Sequence, residues 1–289
     1  MRIHLLVNAR RPDAVEAAGR TVEFLRARQV ELASDTEGAP FLDVPAFGPE
    51  ELGRADLMIA FGGDGTLLRA AHYCSPHPTP ILGVYFGRFG FVTQCDPNEV
   101  GAALSNFFDG QARLIERMML KTDLIRDGQV IATLHALNEA VVQRAVTARM
   151  LYFEVKVDGH HLTRYPADGV IVATPTGSTA YNLSAGGPIC DPDLEAMILA
   201  AANPHTLSAR PLVLRPNSVV EIRVETRGDV VLSCDGQGRL TMISGDTVRV
   251  QRSPFVTTLV SVDDSDFLAK LTEKLLWSKH VDEGASLDA

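Results

Sequence analysis

The sequence predicts an α/β fold: an N-terminal α/β domain with a mostly parallel sheet, joined to a C-terminal β-rich domain. Three observations carry this reading. Short apolar runs, Leu57 to Phe61 and Ile81 to Phe86, alternate with helical spacing in the N-terminal part. From about Glu116 onward, period-two alternation takes over. Near the C-terminus, helical spacing returns at Leu268, Leu271 and Leu275. The expected division is 1–116 as the α/β domain, 117–262 as the β-rich domain, and 263–289 as a last helix with a frayed tail.

Taken in order, Ile3 to Val7 is a strand and Pro12 suits the first turn of a helix. Val15, Ala18, Val22 and Leu25 then recur on one face, which packs on a sheet. Leu57 to Phe61 is an unbroken apolar strand ended by two glycines. Leu67 to Ala71 are good helix formers. Ile81 to Phe86 is a strand followed by the glycine-bearing loop Gly87 to Phe91, and Asp96-Pro97-Asn98-Glu99 opens a helix over Val100 to Phe108. In the second part, Tyr152 to Val157 runs into the hairpin pair Asp158-Gly159. Val219 to Glu225, Val230 to Ser233 and Thr247 to Gln251 alternate in the same way. Ser265 is placed to cap the last helix, to which Phe267 and Trp277 add apolar area.

The chain has 289 residues, 46% of them hydrophobic, and a formal net charge of −9. That charge argues against a nucleic-acid partner, which calls for a basic face. The four cysteines, Cys74, Cys95, Cys190 and Cys234, form no CxxC pair, so they read as core thiols in a reducing compartment. The opening run Ile3 to Val7 is too short for a signal peptide and no run approaches a membrane span. A soluble, cytoplasmic protein without a membrane partner is the expectation.

The most informative motif is Gly62-Gly63-Asp64-Gly65-Thr66, between strand and helix. A glycine turn at a helix N-terminus presents bare N–H groups, which attract phosphate. A carboxylate repels phosphate, so Asp64 calls for a reason. It either holds a metal ion or accepts a proton from an attacking hydroxyl, which points to phosphoryl transfer, or it merely caps the helix.

A second constellation runs from Asp168 through a buried strand into Thr174-Pro175-Thr176-Gly177-Ser178-Thr179-Ala180-Tyr181-Asn182-Leu183-Ser184-Ala185-Gly186-Gly187-Pro188. Hydroxyls and small residues suit close approach of a ligand rich in hydrogen-bonding groups, such as a nucleoside. A turn that bonds its own backbone explains some of these residues, though not the acid, both glycine pairs and all the hydroxyls together. Asn138-Glu139 reads as a polar pair inside an apolar strand, costly unless it faces a ligand or a satisfied network. Asp235-Gly236-Gln237 reads as a hairpin turn.

These residues resemble those of the bacterial NAD kinases, along nearly the whole chain. The matching blocks are Gly62 to Thr66, Ala136 to Glu139, Ala167 to Pro188, Pro204 to Leu212 and Ser233 to Gln237. The first block alone is shared with diacylglycerol and sphingosine kinases and phosphofructokinases. The Ala167 to Pro188 block with Asn138-Glu139, in this order, is far more specific. The resemblance implies a β-sandwich-like C-terminal domain, a last helix returning to the first domain, and an active site between the two. It implies phosphorylation of the adenosine ribose 2′-hydroxyl of NAD to give NADP, with ATP or polyphosphate as donor and a divalent metal, usually Mg2+. It also implies a homodimer or homotetramer.

By the same resemblance, Asp64 is the catalytic base with Gly65 beside the dinucleotide, and Gly62, Gly63, Gly65 and Thr66 form the phosphate loop. Asn138 and Glu139 bond the adenosine ribose, and Asp168 binds the nicotinamide half. Thr179, Ala180, Tyr181, Asn182, Leu183 and Ser184 line the adenine and substrate pocket, and Gln237 contacts substrate. Arg69 and Arg149 stand where the family often has a basic or polar contact, and serve equally well as solvated arginines. Two positions depart from the pattern. Pro166 replaces a basic residue two before Asp168, and Tyr85 replaces the asparagine of a Gly-x-Asn-x-Gly loop. Both bear on substrate preference more than on reaction class.

Two other readings compete. A lipid or sphingoid-base kinase would need a membrane-facing surface, for which an acidic chain without a basic amphipathic helix gives no sign. A non-catalytic NAD-binding sensor would have no use for Asp64. The chain carries neither a Walker-type lysine loop nor a Gly-x-Gly-x-x-Gly turn, so its nucleotide handling is neither P-loop nor Rossmann-like.

Overall fold

The computed structural model describes residues 1–86, 90, 92, 95–145, 151–225, 230–262 and 267–275. In chain order the N-terminal part holds β1 (Arg2–Val7), α1 (Pro12–Arg26), β2 (Glu31–Ser34), α2 (Ala39–Leu42), α3 (Pro49–Leu52), β3 (Leu57–Phe61), α4 (Asp64–Cys74), β4 (Ile81–Val84) and α5 (Val100–Phe108). The second part holds β5 (Arg113–Arg126), β6 (Gln129–Ala136), β7 (Glu139–Arg144), β8 (Leu151–Val157), β9 (His160–Ala167) and β10 (Gly169–Ala173). It continues with α6 (Tyr181–Ser184), β11 (Met197–Ala202), β12 (Leu212–Leu214), β13 (Val220–Glu225), β14 (Val230–Cys234), β15 (Gln237–Met242), β16 (Thr247–Ser261) and α7 (Phe267–Lys274).

The first four strands pair in parallel in the order β2-β1-β3-β4. Their side chains alternate between two helical layers. Ile3, Leu5, Val7, Ile59, Phe61 and Val84 pack with Ala14, Ala18 and Leu25 of α1 and Leu104 of α5. Leu6, Met58, Ala60 and Ile81 pack with Leu67, Ala70 and Ala71 of α4 on the other face. Burial on both faces is why these strands read as unbroken apolar runs.

The second part is two sheets packed face to face. One has the order β12-β11-β10-β7-β14-β15 and is antiparallel throughout. Its inward side chains, among them Val142, Val170, Val172, Leu199 and Leu232, meet Phe153, Val155, Ile222 and Val250 of the other sheet. Asp158 and Gly159, both at positive φ, make the hairpin turn between β8 and β9 that the sequence predicts.

The two parts share one sheet. The long strand β16 pairs with β13 through Thr247–Val250 and reaches β4 at Leu259, while β5 runs beside it throughout. Position 116 therefore falls inside β5. The apolar layer under α4 also takes in Met119, Leu137 and Leu259, so this helix packs against both parts. In place of a predicted strand, Asn138 lies between β6 and β7, and Glu139 opens β7. The backbone leaves the ladder there because its N–H groups are claimed by a remote carboxylate, described below. The expected cap Ser265 and Trp277 lie outside the described residues, as do Gly87, Arg88, Phe89 and Phe91 of the expected loop.

Candidate active site

The glycine turn sits beyond the carboxyl end of β3, between the ends of β1 and β4. Gly62 donates to Val84 O at 3.0 Å, and a Cβ on Gly62 would lie 2.2 Å from Thr66 Oγ1, so the close return of the chain requires glycine. Gly63 is the N-cap of α4 and Asp64 its first residue, so Asp64 does not cap the helix. A carboxylate in the first turn is favoured by the helix dipole. Gly63 and Gly65 are exposed, whereas Thr66 is buried. A cleft of about 410 Å³ is lined by Gly63, Gly65, Thr66, Arg69, Asn8, Arg10 and Glu37. Arg69 reaches Asp35 at 3.1 Å and Glu37 at 3.5 Å, and so enters the cleft as part of an ion-pair group.

A second wall, set against α4 through Leu137, is the loop Leu137-Asn138-Glu139. Asp235 holds it from behind: Oδ1 accepts from the N–H groups of Asn138 at 2.8 Å and Glu139 at 3.0 Å, and Oδ2 from that of Leu137 at 2.8 Å. Thr174 holds it from the side, donating its N–H to Asn138 O at 2.8 Å and its hydroxyl to Leu137 O. Gly177 lies so close that a Cβ there would meet Asn138 O at 2.2 Å. With its backbone fixed on three sides, the loop presents Asn138 Oδ1 and Glu139 Oε2, both buried and without a hydrogen-bond partner among the described residues. Burial first, and the nearby Asp235 charge second, push the Glu139 carboxyl up to about 7, against the pull of the Tyr181 N–H. Near neutral pH this group is therefore both a donor and an acceptor.

The segment after β10 supports that wall. Ser178 Oγ donates to Cys190 O and accepts from Cys190 N at 3.0 Å. The fully buried Asn182 donates through Nδ2 to Ser178 O and Pro188 O, both at 3.0 Å. The hydroxyls of Thr174, Ser178 and Thr179 thus bond backbone, so much of the hydroxyl richness stabilises the loop itself. Thr179, Ala180 and Leu183 are half-buried, and Tyr181 and Ser184 are exposed. Gln237 opens β15 opposite Cys234, immediately after the Asp235-Gly236 turn.

Asp168 is not brought to Asn138 and Glu139. It precedes β10 beside Arg144, at 2.9 Å, and Asn203, at 3.1 Å, whereas Glu139 pairs with Ala173 at the strand's other end. The two acids are therefore about 16 Å apart along the strand. Arg149 lies outside the described residues.

Residue patterns alone did not assign a role to Asp235 or His72. His72 Nε2, on α4, lies 2.8 Å from Asp235 Oδ2. An Asp-Gly turn signals a hairpin whatever its carboxylate binds, and nothing marks a histidine eight positions beyond Asp64.

Comparison with known proteins decides the family. Residues 3–112 match the ATP-NAD kinase N-terminal domain and residues 137–262 the ATP-NAD kinase C-terminal domain. The chain belongs to the NAD kinase family. The NAD kinase of Moorella thermoacetica is 41% identical, over 95% of this chain and 89% of that one. The NAD kinase of Symbiobacterium thermophilum is 40% identical, over 94% and 97%. The crystal structure of yeast NADH kinase complexed with NADH is similar at a TM-score of 0.89 and 26% identity, over 97% of this chain and 89% of that chain. An NAD kinase from Archaeoglobus fulgidus in complex with ATP gives a TM-score of 0.77 at 26% identity, over 96% and 99%. The chain is a kinase of this family, and the expected two-part α/β and β-rich fold is the one its structural neighbours share.

Proposed function

We propose that this kinase transfers the terminal phosphoryl group of ATP to the 2′-hydroxyl of the adenosine ribose of NAD, with Asp64 as the general base. One observation carries the acceptor half: Asn138 Oδ1 and Glu139 Oε2 are adjacent, buried and unpartnered among the described residues. Buried oxygens without donors are costly unless a ligand supplies the hydrogen bonds, and a ribose diol does so. The NADH bound to the yeast relative and the ATP bound to the archaeal one support the substrate pair.

A ribose hydroxyl is a weak nucleophile near neutral pH. Asp64 takes its proton as the bond to phosphorus forms, a role typically worth ~10²–10⁴ in rate. The exposed N–H groups of Gly63 and Gly65, with Arg10 and Arg69, face the phosphate charge from the glycine-turn cleft. Tyr181 fixes Glu139 by its backbone N–H, while Thr179 to Ser184 border the acceptor pocket. Gln237 extends the same border. Asp168 is assigned to the nicotinamide half.

Among the described residues no three His, Cys, Asp or Glu side chains gather into a metal site. A Mg2+ ion would arrive on the donor phosphates with several waters of its own, leaving Asp64 to take the proton. Such an ion supplies charge neutralisation on the phosphates when bound. Polyphosphate is the alternative donor.

The protein is proposed to be cytoplasmic, and no described helix is long and apolar enough to cross a membrane. A homodimer or homotetramer is the proposed assembly. Exposed Leu162 and Leu207, beside a groove of about 510 Å³, support it. The deciding experiment is NADP formation by purified protein with NAD, Mg2+ and either ATP or polyphosphate. Product with ATP is expected. Absence of product in both tubes, with NAD bound, would point to the sensor reading.

A further inference from the structure

We infer that His72 is a positioning residue that ties the helix bearing Asp64 to the loop bearing Asn138 and Glu139. The inference rests on the reaction proposed above and adds a part to it. Asp235 accepts four hydrogen bonds: three from consecutive backbone N–H groups of the loop, and the fourth from His72 at 2.8 Å. Its side chain is 0% exposed, so no solvent competes for these bonds. Both Asp235 oxygens already accept from the loop, and His72 in the tautomer with its hydrogen on Nε2 completes the set as donor.

The three loop bonds alone settle the loop on the β14–β15 turn, within the second part of the molecule. The bond from His72 carries that arrangement across to the first part. His72 stands on α4, eight residues after Asp64, or about 12 Å along one rigid helix. Apolar packing supports the same junction, because Leu67, Leu68 and Ala71 of α4 share a core with Leu137, the first residue of the loop. Apolar contacts hold two surfaces together but permit sliding. A single charge-assisted hydrogen bond to a fully buried acceptor fixes the register between them. The distance from base to acceptor hydroxyl is therefore set through His72, which itself touches neither substrate.

The test is steady-state kinetics of His72→Asn and His72→Gln, with melting curves for both. Glutamine places its amide nitrogen near the position of Nε2, whereas asparagine falls short of Asp235 Oδ2. The asparagine variant is expected to lose about 10- to 100-fold in kcat/KM for NAD, the scale of a misplaced reactant, with KM for ATP unchanged. The glutamine variant is expected to recover most of that loss. Should His72→Asn melt below the assay temperature, His72→Ala takes its place.

Equal kinetics in all variants would overturn the inference, as would equal impairment of the asparagine and glutamine variants, since packing alone would then explain the residue. If the unaltered protein forms no NADP, the proposed reaction fails. The positioning claim is then decided by NAD affinity in calorimetry, where a weaker asparagine variant beside a normal glutamine variant supports it and equal affinities overturn it.

Discussion

The glycine turn and the Asn138-Glu139 loop, the two walls of the proposed site, are built in opposite ways. The turn is local. Gly62 to Thr66 close on themselves, with Gly63 O accepting from Thr66 and Leu67, and Gly62 donating to Val84 O at the adjoining strand end. The loop is held from far along the chain, by Asp235 from nearly a hundred residues away and by Thr174 and Gly177 from nearly forty. The turn is partly exposed, as a donor that must come and go requires. The loop is buried, as discrimination among acceptor hydroxyls requires. Chemistry that tolerates solvent can be assembled from neighbouring residues. Recognition by buried oxygens needs a scaffold that the whole fold supplies.

The contrast can be broken at either wall. Asp64→Asn keeps the turn's shape and removes the base. It is expected to lower kcat by ~10²–10⁴ while leaving the melting temperature nearly unchanged. Asp235→Ala acts on the other wall and strands three buried N–H groups. Its expected cost is about 3–5 kcal/mol of stability in chemical denaturation, along with weaker NAD binding.

Glu139→Gln sharpens the comparison through pH. The folded-state pKa of Glu139, about 7, lies above its ordinary value of 4.5. The folded protein therefore holds a proton that the unfolded chain releases. The associated stability is present in full below pH 4.5 and is lost as pH rises through about 7. The glutamine variant lacks this loss. Its stability relative to the unaltered protein should climb between pH 4.5 and 8 by on the order of 3 kcal/mol, measured by denaturation at each pH. The smallest effect is expected from Gly177→Ala. Its methyl group meets backbone rather than a movable side chain, at a cost of about 1–3 kcal/mol with a raised KM for NAD.

The same contrast explains what could be read from the sequence. The strand, turn and α4 around Asp64 are legible because apolar runs, glycines and helix formers act over a few residues. The parallel sheet follows from strands buried on both faces, and the second part from period-two alternation and the Asp158-Gly159 turn. The structure of Asn138 is not legible locally. Its neighbours spell a strand, and the carboxylate that draws the backbone off the ladder belongs to a turn indistinguishable in sequence from any other Asp-Gly hairpin. Nor does the sequence give the continuity of β16 between the two parts, since pairing with both β13 and β4 depends on a strand long enough to reach each. The division of labour among the hydroxyls of 174–179 is not legible either, because the acceptors of Thr174, Ser178 and Thr179 are backbone oxygens that only the folded chain brings within reach.

The most direct test of the two-wall account is the affinity of Asp64→Asn for NAD, measured by calorimetry beside its turnover. A dissociation constant within a few-fold of the unaltered protein's is expected, with catalysis largely gone. Loss of NAD binding together with turnover would contradict it, because Asp64 would then belong to the wall that holds the acceptor.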